Sequence, residues 1–441
     1  MTVTTTRPAP RKVRAPHPLR AEAVRGFAPV AGLAVLVTLG IALSATSANW
    51  QGGWAETAGT LHTSMLILLP MAAAAGCWQG GRERRRRTAE LWGTAVRPPL
   101  TRLLASALPV ALWAALGHLL AVAAALLATW PYAMGDHPRL DLVPGDTAAL
   151  MAAALIGHVA GRAVPTVLAA PVLGVVGYVG LGLLSHSDAE GSPLSPAAYV
   201  GAGFRPVWWQ PFAMAGWTLG LALALTLAHA ARRRVTALLP LAAALASGAL
   251  LVHTGSGVFQ TDPLTRRQVC DTSVTPAVCV NARYAGLLPR TTDALSGVTG
   301  KLRGVRNLPV RWEDHPGRPH DDEAQLPSVT PLGWSVVRGR LTDPQAYASE
   351  AVAMLRGDCE TSSVRVARAD DAVSAYLAPS PAQDDFDRQD AKGDAAHRAD
   401  LRARLAARAK LAAMDERQRR AWLSAYFASR PHCAVKGVPS L

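Results

Sequence analysis

The chain has 441 residues, 50% of them hydrophobic, and a formal charge of +14. Its acidic residues are divided unevenly: nine of the 31 lie in residues 1–253 and 22 in residues 254–441, while the basic residues divide 19 and 26. That division excludes a single soluble globule, and the long apolar runs exclude disorder throughout. The excess of Arg over Lys and the abundance of Ala and Gly fit a GC-rich genome, so a high pI is weak evidence for nucleic-acid binding. A nucleic-acid interface would gather its basic residues on one stripe with groove-reading support. Here they sit between apolar runs, which is a membrane pattern, and no nucleic-acid partner is expected.

A helix needs about 20 apolar residues to cross the hydrocarbon of a bilayer. After a basic segment at 1–26, seven runs qualify: 27–47, 61–79, 103–128, 147–163, 164–184, 212–230 and 236–253. The fourth and fifth are divided only by Gly161, Arg162 and Pro165, and a hairpin is expected there. Ala45-Thr46-Ser47-Ala48 is a loose cleavage site at best, so the first run reads as a retained span.

The loops orient the spans. Arg7, Arg11, Lys12, Arg14, Arg20 and Arg25 precede the first run. The loop after the second run holds seven arginines between Arg82 and Arg102, and Arg162 and Arg232–Arg234 follow the fourth and sixth. These 17 residues share one side of a seven-span alternation. The opposite loops (48–60, 129–146 and 185–211) carry only Arg139 and Arg205, together with the interfacial aromatics Trp50, Trp54, Trp130, Tyr132, Trp208 and Trp209. The positive-inside rule then places the amino terminus in the cytoplasm of a bacterial cell and residues 254–441 outside.

The loop at 80–102 carries the most information. A charged head, Gly81-Arg82-Glu83-Arg84-Arg85-Arg86-Arg87, leads to Thr88-Ala89-Glu90-Leu91-Trp92, then to Pro98-Pro99 and the third run. The pattern suits a short amphipathic helix at a membrane surface, with Leu91 and Trp92 inward and arginines outward.

This loop resembles the segment between the second and third spans of type-2 ABC exporter permeases. There an acidic-basic stretch leads to a Thr-x-Glu-Leu element, a proline and the third helix. The matching positions are Glu83, Arg84, Thr88, Glu90, Leu91 and Pro98, and the resemblance covers about residues 20–234. It implies an ABC-2-like bundle and a coupling helix that docks on a separate cytoplasmic ATP-binding subunit. It also implies six spans with a larger outer loop before the last, a place that residues 185–211 fit. Members of that family end soon after the sixth span, inside the cell, whereas this chain adds a seventh run and a tail. The whole also resembles actinobacterial membrane proteins that join a permease-like half to a cysteine-bearing tail.

The tail, 254–441, reads as a small α+β extracytoplasmic domain. Ala277–Val280 and Leu308–Trp312 suggest strands; 284–304 suggests a helix interrupted at Leu288-Pro289. A further helix starts at Asp343, and 380–394, rich in Asp, Gln and Ala, suggests a linker or loop. Helices follow at 395–412 and 415–429, the second capped by Asp415 with Trp422, Leu423, Tyr426 and Phe427 at packing spacing. Four of the five cysteines, Cys270, Cys279, Cys359 and Cys433, lie in this tail and fit disulfides. Three pairings are possible; Cys270–Cys279 with Cys359–Cys433 is the favoured one. Cys77, in the second run, reads as a small hydrophobe.

Catalytic motifs are missing. Gly300-Lys301 lacks the other anchors of a phosphate loop, no His-Glu-x-x-His occurs, and Gly255-Ser256-Gly257 lacks a hydrolase elbow. His315, His320, Asp321, Asp322 and Glu323 lie among Pro316, Gly317 and Pro319 and read as a solvated loop. No Asp, Glu, Lys or Arg is assigned within a span, Arg162 at the end of the fourth run being counted with the turn that follows. His118, His158 and His229 read as structural hydrogen-bonding residues inside the bundle or as residues near an interface, and the lack of charged groups at midmembrane disfavours an ion-coupled carrier. The favoured reading is therefore a permease subunit without enzymatic activity or cofactor, working with an ATP-binding partner as a homodimer or beside a second permease in the lipid bilayer. The alternative is an exterior binding or sensor module with the bundle as scaffold; an exterior enzyme ranks last.

Overall fold

The computed structural model describes residues 18–87, 98–164, 166–186, 191–315, 317, 319–331, 335–356, 363–430 and 437–441. Among them, seven helical stretches are long and apolar enough to cross a membrane. A short helix, α1 (Pro18–Arg25), leads into α2 (Ala28–Ala45). The second stretch is two helices, α3 (Trp54–Thr63) and α4 (Met65–Gly80), joined at Ser64. Then come α5 (Pro99–Thr129), α6 (Val143–Ala163), α7 (Ala169–His186), α8 (Gln210–Ala230) and α9 (Leu238–Thr254).

Local chemistry sets the ends. Pro98 is the cap residue of α5, with Pro99 at its first position, where a missing N–H costs nothing. The expected hairpin falls between Ala163 and Ala169. Helix α9 stops at Gly255, whose φ of +57° suits a residue without Cβ.

Two of these helices differ from expectation in a way that matters. The second stretch begins at Trp54 rather than 61, and α6 begins at Val143 rather than 147. Glu56 and Asp146, assigned above to loops, therefore lie inside helices, and both are buried. Arg162 lies in the last turn of α6. The expectation of spans free of charged residues is overturned. Each helix continues past its apolar run because its polar residue finds a buried partner.

Helices α4 and α6 meet along facing glycines. Gly76 and Gly80 on one, and Gly157 and Gly161 on the other, each lie against backbone of the opposite helix. A Cβ added at any of the four would stand 1.9–2.2 Å from the facing carbonyl oxygen. Small-xxx-small spacing of this kind lets two backbones touch, which is how helices gain contact where no hydrophobic force separates them from lipid. Gly32 of α2 and Gly117 of α5 repeat the device: a Cβ on Gly117 would lie 2.2 Å from the Gly32 carbonyl. Leu39, Met65, Leu68, Leu103 and Leu150 fill the space between the helices.

The tail is an α+β unit. Four strands, β3 (Gln268–Asp271), β4 (Ala277–Asn281), β5 (Arg311–Glu313) and β6 (Glu323–Gln325), form one sheet in that order, antiparallel at the first pair and parallel after it. Two further two-stranded pieces join β1 (Phe204–Pro206) to β2 (Phe259–Thr261) and β7 (Val336–Val337) to β8 (Arg340–Leu341). Helices α10 (Leu288–Leu302), α11 (Pro344–Arg356), α12 (Val364–Leu377), α13 (Pro381–Asp390), α14 (Ala395–Ala413) and α15 (Glu416–Ser429) complete it. The core gathers Trp312, Tyr284, Tyr426, Phe427 and Leu295. As expected, Asp415 caps α15 by accepting from the Gln418 N–H, and Trp422 stacks on Tyr426 at 5.7 Å.

The segment expected to be a linker, 380–394, contains helix α13. Ser380 caps it, Pro381 opens it, and its acids pair across to α14: Arg408 with Asp384 at 2.7 Å and Arg404 with Asp387 at 2.8 Å. Its stability comes from a neighbour that local composition does not disclose. Burial of apolar surface is small here, so ion pairing and capping hold it.

Replacing Gly157 by Ala should force α4 and α6 apart. A lowered melting transition of the full chain in detergent is expected, with about 1–3 kcal/mol lost to overpacking. Gly40→Ala, where nothing lies within 4 Å of the added carbon, should leave the transition unmoved. Equal melting of both variants would rule out the seam.

Candidate functional site

Polar side chains concentrate at the two ends of the helical bundle. At the end where α4 stops and α5 starts, the sequence-predicted loop begins with a helical turn, Arg82–Arg85. Glu22 of α1 accepts from Arg82 at 2.7 Å and from Gln79 at 3.3 Å. Glu83 accepts from Arg162 at 3.1 Å. Both ion pairs are partly buried, a setting in which water screens them less than on an open surface. Arg85 stacks on the Trp78 ring at 3.9 Å and donates to the Trp78 carbonyl. The loop is thus fastened to α1, to the end of α4 and to the end of α6.

Of the predicted coupling residues, Glu83 is brought against Arg162, Arg84 is exposed, and Pro98 opens α5. Thr88, Glu90 and Leu91 lie outside the described residues. Glu22 was missed by sequence reasoning. Its signal is visible in hindsight: it is the only acid in the first 55 residues, set among arginines.

At the opposite end the tail domain meets the bundle. The Glu56 carboxylate accepts from the Arg283 guanidinium at 2.6 Å and from the Tyr284 hydroxyl, whose oxygen also meets the Thr330 hydroxyl at 3.3 Å. Glu56 and Arg283 are nearly inaccessible, 5% and 3% exposed at the side chain. Burial opposes the Arg283 charge, but the neighbouring Tyr284 and Glu56 outweigh it and hold its pKa above the ordinary value. Burial first, and the Glu56 charge second, push the Tyr284 phenol well above its usual range, so it stays a donor.

Around this pair, Arg139 reaches Asp141 at 3.1 Å and Asp262 at 3.6 Å. Inside the bundle nearby, His62 and Asp146 hydrogen-bond at 2.8 Å, and Thr57 meets Thr129 at 2.7 Å. One backbone and one side-chain contact add to the joint: the Gly286 N–H donates to the Met134 carbonyl at 2.6 Å, and the Arg338 guanidinium donates to the Gln51 Oε1 at 2.7 Å. Asp314, beside Asn281 in the tail, is raised by burial to about 6, while the Asn281 donors and Arg283 oppose that rise.

Of the histidines, His118 meets Thr147 Oγ1 at 3.2 Å and His158 meets Ser106 Oγ at 3.1 Å, the structural role expected of them. Cys270 and Cys279 stand opposite each other in β3 and β4 with their sulfurs 2.07 Å apart, as the favoured pairing required. Cys359 and Cys433 lie outside the described residues. Cys77 is a buried free thiol. Among the described residues of the 315–323 stretch, no chelating set forms. Glu323 sits in β6, where Arg311 and His320 engage it at 2.6 and 2.8 Å. Although desolvation opposes it, those partners hold the Glu323 carboxyl down at about 2. Among the described residues, no group of three or more His, Cys, Asp or Glu is placed to hold a metal ion.

Comparison with protein-family models, curated proteins and solved structures finds no match to this chain. The class that its own geometry defines is a helical protein with seven membrane-length apolar helices and a disulfide-bearing α+β tail seated on one end of them.

Breaking the Glu56–Arg283 pair should be costly. Glu56→Gln or Arg283→Met alone leaves an uncompensated polar group in the joint and should destabilise the full chain by about 3–5 kcal/mol. The double variant should recover much of that loss. Melting in detergent, analysed as a double-mutant cycle, checks this; purely additive losses would mean the two side chains do not act as a pair.

Proposed function

We propose that the chain is a permease-like membrane subunit of an export system of the ABC type, driven by a separate cytoplasmic ATP-binding subunit. The observation that carries this reading is the fastening of the arginine-rich loop. Through Glu22–Arg82 and Glu83–Arg162, residues 82–87 are tied to α1 and α6 as well as to α4. A force applied to this loop by a docked ATPase would be delivered to several packed helices at once, and packed helices move as rigid bodies. The resemblance of Glu83, Arg84, Thr88, Glu90, Leu91 and Pro98 to a coupling segment supports the same role.

In this reading the arginine-rich end faces the cytoplasm and the tail lies outside the cell membrane. The crowding of basic residues at one end and interfacial tryptophans at the other supports that orientation. The disulfide supports an oxidising location for the tail. A second reading, an exterior binding or sensor module with the bundle as scaffold, draws support from the buried joint that seats the tail on the helices. The two differ in whether an ATPase is needed.

Affinity purification of the full chain from its native membranes should recover an ATP-binding subunit. Replacing Glu83, Glu90 and Leu91 together by Ala should lower that recovery at least tenfold in protein that still folds, as a retained cooperative melting transition would show. Undiminished recovery would sink the coupling role, and no ATPase in any preparation would favour the scaffold reading. Orientation has its own measurement. In intact cells a membrane-impermeant maleimide should label Gly393→Cys and should reach Arg86→Cys only after permeabilisation. The opposite pattern would invert the scheme.

A further inference from the structure

An apolar groove and a basic pocket meet at the arginine-rich end of the bundle. The groove, about 280 Å³, runs between α2, α4 and α5 and is lined by Val30, Ala34, Met71 and Ala75, with Phe27 and Trp78 at its mouth. Its accessible lining is almost wholly apolar. The pocket, about 420 Å³, shares Phe27 and Trp78 and adds Arg25, Arg82, Arg85 and Arg86. Among the described residues, no acidic side chain lines it. Glu22 is paired with Arg82, so among the described residues Arg25, Arg85 and Arg86 remain in excess. Arg85 is fixed on the Trp78 ring, while Arg25 and Arg86 are exposed.

We propose that this composite cavity binds one anionic phospholipid, its phosphate among the arginines and an acyl chain in the groove. Three features select that occupant. The pocket sits where α2 begins and α4 ends, which is headgroup depth for helices of membrane length. The groove from Phe27 to Val35 is about 12 Å long at 1.5 Å per residue, enough for the upper part of an acyl chain. Charge complementarity requires an anion, and guanidinium groups match phosphate geometry. Basic pockets between membrane helices take lipid headgroups by this chemistry. Trp78 joins the two parts, since its ring lies on the groove and carries Arg85 on the pocket side. The site does not depend on an ATPase and goes beyond the transport reading.

The test is lipid retention by the full chain. The purified protein is exchanged into detergent with a defined mixture of phosphatidylglycerol and phosphatidylcholine, and bound lipid is read by native mass spectrometry. Phosphatidylglycerol should be retained selectively. The Arg85→Gln/Arg86→Gln variant should lose roughly thirtyfold in retention, at about fivefold for each near-surface arginine. Ala34→Phe, which fills the groove and leaves the arginines in place, should lower retention of the long-chain lipid as well. Melting curves of each variant separate loss of the site from loss of the fold. Equal retention of phosphatidylcholine, or undiminished phosphatidylglycerol in a folded Arg85→Gln/Arg86→Gln variant, would refute the site. Displacement of the lipid by millimolar inorganic phosphate would assign the pocket to a free anion and equally refute it.

Discussion

Backbone-to-backbone approach of α4 and α6 is the constraint on which the bundle rests. Leu-rich faces cannot discriminate a neighbouring helix from a lipid tail, so apolar character alone does not bring membrane helices together. Four glycines remove the side chains that would hold these two apart, and each faces a carbonyl of the other helix. The consequences spread from this seam. Gly80 and Gly161 bring together the ends of α4 and α6, and there Arg162 reaches Glu83. The same close approach sets His158 in α6, whose imidazole bonds Ser106 of α5. The arginine-rich loop owes its fixed position to a seam made of residues with no side chain.

The opposite end is organised by the reverse principle. There a fully desolvated carboxylate, guanidinium and phenol hold the tail to the bundle. Burying such a group is expensive unless it is paired, so the cost of separating the joint exceeds the worth of any one contact. A tail fixed this way is more than a tethered domain. Its position follows that of Glu56, one turn into α3, and therefore the attitude of the second membrane-length helix.

How much of this was legible before the structure depends on the reach of each signal. The 380–394 segment, expected to be a linker or loop, contains a helix because Ser380, Asp384 and Asp387 are helix-stabilising only with a cap geometry and with Arg404 and Arg408 opposite. The coupling residues were selected by local pattern, yet the partner that fastens the loop most closely, Glu22, lies 60 residues from Arg82. Glu56 and Asp146 were placed in loops because a charge beside an apolar run ordinarily marks its end. His62 and Arg283 change that outcome by pairing with them inside the protein. The lipid pocket could not be read at all, since it is assembled from α2, the end of α4 and the following turn.

The sequence by itself determined the seven apolar helices, the segregation of basic residues to alternate loops and the α+β character of the tail. All are local properties of hydropathy and charge, whereas the Cys270–Cys279 bridge, one of three possible pairings by sequence, was decided by the register of β3 on β4. Tertiary structure alone decided the glycine seam, the continuation of helices through Glu56 and Asp146, and the joint between residues 227 positions apart. The reason is physical. Hydrophobic length acts on each segment independently, whereas close approach and the burial of charge are properties of a pair, and the partner is chosen only when the chain folds.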